Sequence, residues 1–230
     1  MVEAVLRVPR NVAFYLAFYV GTVVLLAIGG CAALVFPRFT RVVCDGWSGW
    51  HRWCATRLLG IRVVVEGEIP VGAILAVGKH ESFFEAIDMP MVFDFPAVFA
   101  KVELMNLPVW GRLGHQYGLV AVERGEGAKA LRAMRAAAKD RASQGRPLVI
   151  FPEGTRVPHG GPAPLQSGFA GIYKLIGLPV VPFAVNSGPL YHRRWKRQGT
   201  ITYRFGAVIP AGLPREEAET RVLAAINALN

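Results

Sequence analysis

Ala73-Ile74-Leu75-Ala76-Val77-Gly78-Lys79-His80-Glu81-Ser82-Phe83-Phe84-Glu85 sets the architecture of this chain. Ala73–Gly78 is an apolar run closed by glycine, which reads as a buried strand. Ser82-Phe83-Phe84-Glu85 has the serine-to-glutamate spacing of a capping box, which opens a helix predicted over Phe83–Phe93. His80 falls on the short loop between them. The same change of period recurs along the chain. Further strands are predicted at Ile61–Gly67, Ala97–Lys101, Gly118–Val122, Pro147–Phe151, Val180–Val185 and Thr200–Phe205. Further helices are predicted at Pro108–Tyr117, Glu126–Ser143, Leu165–Ile176 and Arg215–Leu229. Strands that alternate with helices define an α/β domain around a largely parallel sheet flanked by helices. The boundary falls near Gly60, giving 1–60 as membrane-associating helices and 61–230 as a catalytic domain. No internal repeat, low-complexity segment or long linker interrupts the chain.

Outward from this core, composition narrows the function classes. The chain has 230 residues, 53% of them hydrophobic, and a formal net charge of +10. Mean hydropathy is +0.34 and the pI about 10.0. Such a charge suits nucleic acid or an anionic membrane. The hydrophobicity decides for membrane, and neither zinc-finger spacing nor an aromatic RNA-binding signature is present, so nucleic acid is not a partner. Cys31, Cys44 and Cys54 fit no metal-ligand spacing and read as unpaired thiols of a reducing compartment.

Val12 to Phe36 contains no charged residue, a run long enough to cross a bilayer. Arg7 and Arg10 precede it; Arg38 and Arg41 follow it. A cleaved signal peptide has a shorter apolar core. Ile28-Gly29-Gly30-Cys31 resembles a lipobox, but the run stays apolar past Cys31. A buried helix of a soluble core is the third alternative, and whether the run spans or re-enters is open at this point. In Arg41–Leu59, residues Val43, Trp47, Trp50, Cys54 and Leu58 share one helical face, while Asp45, His51, Arg52 and Arg57 make the segment too polar to span. This amphipathic helix lies at the headgroup level or packs its apolar face on the domain. The excess of positive charge after the run places the domain on the cytoplasmic side, which gives an inner-membrane protein with its catalytic domain facing the cytoplasm.

The chemistry concentrates at predicted strand ends. His80 with Glu85 five residues on supplies an imidazole and a carboxylate, the minimum for general-base work. Because His80 precedes the helix, its ring can lean over the first turn to meet Glu85; Asp88 lies nearly a turn further along the axis. The bland reading gives Glu85 only the capping role. In Val149-Ile150-Phe151-Pro152-Glu153-Gly154-Thr155-Arg156 a buried strand runs into a turn. There Gly154 permits positive φ, backbone N–H groups can cradle an anion and Arg156 adds a bidentate donor. Arg124, closing Val122-Glu123-Arg124-Gly125, sits where α/β sheets bind ligands, or is an exposed strand-end arginine. Pro182 lies inside a buried strand, which calls for an edge or a bulge. His115, His159 and His192 lack ligand spacing, so no metal is expected.

These four blocks, in this order across roughly Arg62 to Pro210, resemble the 1-acyl-glycerol-3-phosphate acyltransferase family within the glycerolipid acyltransferases. Phe151-Pro152-Glu153-Gly154-Thr155-Arg156 matches the family block in every residue. Glu85 stands where the family usually has Asp, and Ala121 where an aromatic is often seen. The resemblance implies a single glycerolipid-acyltransferase-like domain with His80 as general base and Glu85 orienting it. It implies Arg124, Glu153, Gly154, Thr155 and Arg156 around the glycerol-phosphate, and Pro182 in a block that binds or supports the acyl donor. Lys101 is added, from the residues themselves, as a phosphate contact. The implied reaction joins lysophosphatidic acid to an acyl group from acyl-CoA or acyl-carrier protein, with no cofactor. Another lysolipid acceptor, such as a lyso-ornithine lipid, and an inactive lipid-binding protein are the rival readings. The basic run Tyr191–Arg197 contacts anionic headgroups or an acidic carrier protein, or is a solvated loop. Lys129, Arg132, Arg135 and Lys139 form a solvated helix face.

Overall fold

The computed structural model describes residues 2–123, 128–161, 164–166 and 168–230, with the backbone alone for residues 2–6, 128 and 129. Three helical segments come first: α1 (Val2–Val24), continued through a π-helical stretch (Leu25–Gly30), α2 (Cys31–Val35), and α3 (Thr40–Arg57) after a 3-10 turn at Pro37–Phe39. The domain then runs β1 (Ile61–Glu66), β2 (Leu75–Gly78), α4 (Phe83–Val92), β3 (Ala97–Lys101), α5 (Val102–Met105), α6 (Trp110–Tyr117) and β4 (Val120–Val122). It continues with α7 (Ala128–Ser143), β5 (Leu148–Ile150), α8 (Gly168–Ile176), β6 (Val180–Val185), α9 (Gly188–Tyr191), β7 (Gly199–Phe205) and α10 (Arg215–Ile226). All seven predicted strands are present within a few residues of their expected ends. Glu126 and Gly127 lie outside the described residues, and the single-turn helices α5 and α9 were not expected.

The strands form one sheet in the order β1-β7-β6-β2-β5-β3-β4. β6, β2, β5, β3 and β4 are mutually parallel, and only β7, carrying β1 beside it, runs against β6. Parallel strands are covered on both faces, which is why β2, β5 and β6 are buried throughout. The C-terminal ends of β2, β5, β3 and β4 therefore share one edge, and the loops after them meet there.

Pro182 is not on an edge strand, because β6 lies between β7 and β2. A bulge accommodates it instead. Phe183 pairs with Phe205 and Val180 with Ile209, so β7's extension carries one more residue than β6 between these pairs. Val180 exchanges both backbone bonds with Ile209, so even-numbered residues of β6 face that side. The Pro182 carbonyl accepts from Gly206 N, and its missing donor falls at the bulge, where the ladder does not require it.

The N-terminal helices pack on this domain. Phe14, Phe18, Cys54 and Ala55 share one core with Ile61, Phe84, Val181 and Tyr203. Of the amphipathic face, Trp50 donates to Ala17 O (3.2 Å) and Trp47 to Thr22 Oγ1 (3.0 Å), so α1 covers both indoles. The packing reading holds for that face, while Trp53 stays exposed. His51 and Arg52 are not on a solvated face. His51 is fully buried beside Phe14, Phe18 and Phe84, with Nε2 2.7 Å from Tyr191 OH; burial pushes its pKa down to about 3, so the ring is neutral. Arg52 donates twice to buried Asp88, which also accepts from Tyr203 OH at 2.9 Å. From Arg7 to Val35 runs a 29-residue helical stretch whose most apolar 18 residues have a mean hydropathy of 2.2 and remain mostly uncovered, long and apolar enough to cross a bilayer.

Candidate active site

His80 occupies the loop between β2 and α4, and that loop is as short as it is because of its flanks. Gly78 ends the strand against the Phe183 ring; a Cβ there would lie 2.0 Å from Phe183 Cζ, so the backbone can enter the loop only without a side chain. Ser82 caps α4, accepting from Phe84 N at 3.0 Å, and Glu85 closes the capping box by accepting from Ser82 N at 2.5 Å.

The same carboxylate meets the histidine. His80 Nδ1 lies 2.9 Å from Glu85 Oε1. Glu85 is fully buried and also accepts from Glu81 N (2.6 Å) on Oε1 and from Ser82 Oγ (2.9 Å) and Ser187 Oγ (2.6 Å) on Oε2. Capping and orienting are thus done by one group, and no choice between them is needed. With Nδ1–H donating to Glu85, the tautomer leaves a lone pair on Nε2, which has no hydrogen-bond partner among the described residues. The ring stacks on Phe151, with centroids 4.6 Å apart. Its side chain keeps 17% exposure, enough to meet a substrate. Asp88, held by Arg52, does not take part.

The turn after β5 grips the His80 backbone from both sides. Glu153 Oε1 accepts from His80 N at 3.2 Å, and Val157 N donates to His80 O at 2.7 Å. Gly154 takes φ +65°, the left-handed conformation that reverses the chain. Thr155 and Arg156 are exposed, and the Arg156 guanidinium lies 4.1 Å from the centroid of the Phe83 ring at the start of α4. The turn so brings a cation to the histidine's side of the sheet edge. Lys101 ends β3 in register with Val122, two strands from β2, and is exposed. Arg124 lies outside the described residues. Pro182 sits in the sheet interior as described, away from the edge that carries His80.

Burial raises Glu153 to about 7 from an ordinary 4.5, although hydrogen bonds from its own backbone and from His80 N act the other way. Its Oε2 is buried without a hydrogen-bond partner among the described residues. Because the folded pKa exceeds the unfolded one, the folded state retains a proton between pH 4.5 and about 7 that the unfolded state releases, and stability falls as pH rises through that window. Glu153→Gln should flatten this part of a plot of melting temperature against pH; an unchanged slope would show that other groups set it.

Several groups here carry no signature in the sequence. Ser187, fully buried just past the end of β6, donates to Glu85 Oε2 from 102 residues away, with its Oγ 2.7 Å from Ser82 Oγ. Glu81 is buried beside the site, accepting from Gly188 N at 2.8 Å and lying 2.9 Å from His159 Nδ1 and 3.7 Å from Lys79 Nζ. The serine-glycine after a predicted strand was the single available hint, and such pairs also end strands with no site. Ser187→Ala should lower turnover about tenfold, the worth of one hydrogen bond to a charged group, with acceptor KM little changed. Steady-state kinetics that leave kcat at the wild-type value would remove Ser187 from the site.

An imidazole braced by a buried carboxylate, set at the sheet edge beside an arginine-bearing turn, is equipped to deprotonate a hydroxyl and to hold an anionic group next to it. Sequence comparison assigns the class: residues 60–186 match the Acyltransferase family model, and the chain belongs to that family. A 1-acyl-sn-glycerol-3-phosphate acyltransferase of Pseudomonas aeruginosa is 29% identical over 227 residues, covering 95% of this chain and 86% of that one. The lyso-ornithine lipid O-acyltransferase of the same organism is 36% identical over 109 residues, covering 45% and 40%. The crystal structure of the lysophosphatidic acid acyltransferase from Thermotoga maritima has the same fold, with a TM-score of 0.75 at 23% identity over 96% of this chain and 95% of that one.

Proposed function

We propose that this acyltransferase moves an acyl group from acyl-CoA or acyl-carrier protein to the sn-2 hydroxyl of lysophosphatidic acid, giving phosphatidic acid. The observation that carries the reading is the 2.9 Å contact of His80 Nδ1 with Glu85 Oε1, framed by the Glu153–Arg156 turn that holds the His80 backbone. His80 Nε2 takes the proton of the acceptor hydroxyl, and the oxygen attacks the thioester carbonyl. The carbon–sulfur bond breaks, and the leaving sulfur receives the proton from the imidazolium, which Glu85 stabilises meanwhile. Arg156 and Thr155, with Arg124 and Lys101, take the acceptor's phosphate; Gly154 turns the chain beside them, Glu153 braces the loop, and Pro182 supports the acyl-donor side. No cofactor enters this scheme.

The apolar stretch from Arg7 to Val35 supports membrane attachment. The excess of positive charge after it supports an inner-membrane location with residues 61–230 as a catalytic domain facing the cytoplasm and residues 1–60 as its anchor. The similarity to a lyso-ornithine lipid acyltransferase favours that lipid as the second acceptor to consider. Arg156 at the site favours the phosphate-bearing one, since a phosphate pairs with its guanidinium more strongly than a zwitterionic acceptor does. A thiol-release assay with both acceptors and both donors decides. The expected result is faster release with lysophosphatidic acid. Release with the lyso-ornithine lipid alone would replace the acceptor, and no release with any pair would leave a lipid-binding protein.

A further inference from the structure

The basic run after α9 is neither loose nor evenly solvated. Lys196 N donates to Asn11 Oδ1 (2.7 Å), Asn11 Nδ2 to Lys196 O (3.0 Å), Tyr15 OH to Arg194 O (2.6 Å) and Arg10 Nη1 to Gln198 Oε1 (2.5 Å). Tyr191 and Lys196 are buried beneath it, with the ammonium 4.0 Å from the Tyr191 ring centroid. The loop is therefore fixed to the first part of α1, largely through the backbone.

This fixture gathers charge. Arg7, Arg193, Arg194 and Arg197, with Trp195, line one open pocket of about 370 Å³. Among the described residues none of the four arginines has an acidic partner. Arg7 Nε is buried without a hydrogen-bond partner among the described residues. Four like charges around one pocket repel each other, and the hydrogen bonds to α1 hold them there regardless. An anion in the pocket removes that repulsion.

The surroundings identify the anion. Val8, Val12, Leu16 and Val20 follow at steps of four along α1 and are all exposed, at 46–62%. They form a stripe that begins beside Arg7, one residue round the helix from the Arg7–Asn11–Tyr15 face that meets the loop. An apolar stripe adjoining an arginine pocket matches the boundary between acyl chains and headgroups. We propose that Arg7, Arg193, Arg194, Arg197 and Trp195 form a binding site for the phosphate of an anionic phospholipid of the host bilayer, separate from the His80 site. The proposal rests on the membrane attachment argued above. None of these residues is among those that meet His80 or the Glu153–Arg156 turn.

The test titrates the detergent-solubilised full chain with dioctanoyl phosphatidylglycerol and, as the neutral probe, dioctanoyl phosphatidylcholine. Arg193→Ala/Arg197→Ala is compared with Arg215→Ala/Arg221→Ala, which removes the same charge from α10. The wild type should prefer the anionic probe. The pocket variant should bind it about 30-fold more weakly, from roughly a factor of five per arginine, and the α10 variant should match the wild type. Equal losses in the two variants, or no preference for the anionic probe, would overturn the site. Should the pair fail to fold, Arg7→Ala and Arg193→Ala read separately give the same decision at roughly fivefold each. Intact lipid binding with a raised KM for acyl-CoA or acyl-carrier protein would assign the arginines to the donor instead. The titration needs no turnover, so a wild type inactive on lysophosphatidic acid would overturn the proposed reaction and leave this result standing.

Discussion

His80→Ala is expected to lower thiol release from the acyl donor by about 10²–10⁴-fold, the contribution of a positioned general base. The loss should fall on kcat, because the side chain removes a proton and holds neither substrate. The fold should survive. Truncation frees one position on Glu85 Oε1, but Glu81 N, Ser82 N, Ser82 Oγ and Ser187 Oγ still satisfy the carboxylate. The ring lies on Phe151 at the loop surface, where its removal leaves no closed cavity. Melting temperature separates lost chemistry from lost structure. A folded variant with near-wild-type turnover would sink the mechanism. Glu85→Asp adds a finer test. The shorter side chain cannot keep both the His80 contact and the Ser187 hydroxyl on opposite oxygens without moving α4, so turnover should fall although the family's usual residue has been restored.

The second large effect concerns stability. Arg52→Ala should destabilise the fold by about 3–5 kcal/mol, because it leaves the Asp88 carboxylate buried without its counter-charge. Asp88 has no exposure, and burial raises its pKa even with Arg52 bound, so its ionised form depends on that guanidinium. The pair also joins α3 to α4, next to the Ser48 Oγ to Ile87 O hydrogen bond of 2.7 Å. Denaturant titration reads the loss. Adding Asp88→Asn to Arg52→Ala should recover a good part of it, since a neutral amide still accepts from Tyr203 OH and needs no cation. If Arg52→Ala unfolds at the wild-type midpoint, the anchor helices contribute less to the domain than their packing implies.

The blocks that surround His80 were legible because each is local. A strand ending in glycine, a serine-to-glutamate cap and a strand running into Glu-Gly-Thr-Arg announce themselves within a few residues, and the parallel sheet then has to bring their C-terminal ends to one edge. Ser187, Glu81 and His159 were not legible, since nothing in their own neighbourhoods distinguishes them from an ordinary strand end, loop glutamate or surface histidine. The amphipathic face of α3 illustrates the same limit. Its tryptophans suit a bilayer and a protein partner equally well by spacing, and the position of α1 alone determined which one covers them.

By itself, then, the sequence determined the α/β alternation, the apolar stretch, the His80–Glu85 pair and the turn beside it, because periodicity, capping and turn chemistry act over short distances. The tertiary structure alone decided that His51 and Arg52 face inward, that Pro182 sits at an interior bulge, that Ser187 completes the Glu85 shell, and that Arg7 joins a loop nearly 190 residues later in one pocket. Each of these depends on which surfaces meet once the helices close over the sheet, and contacts between distant segments leave no periodic trace in either segment.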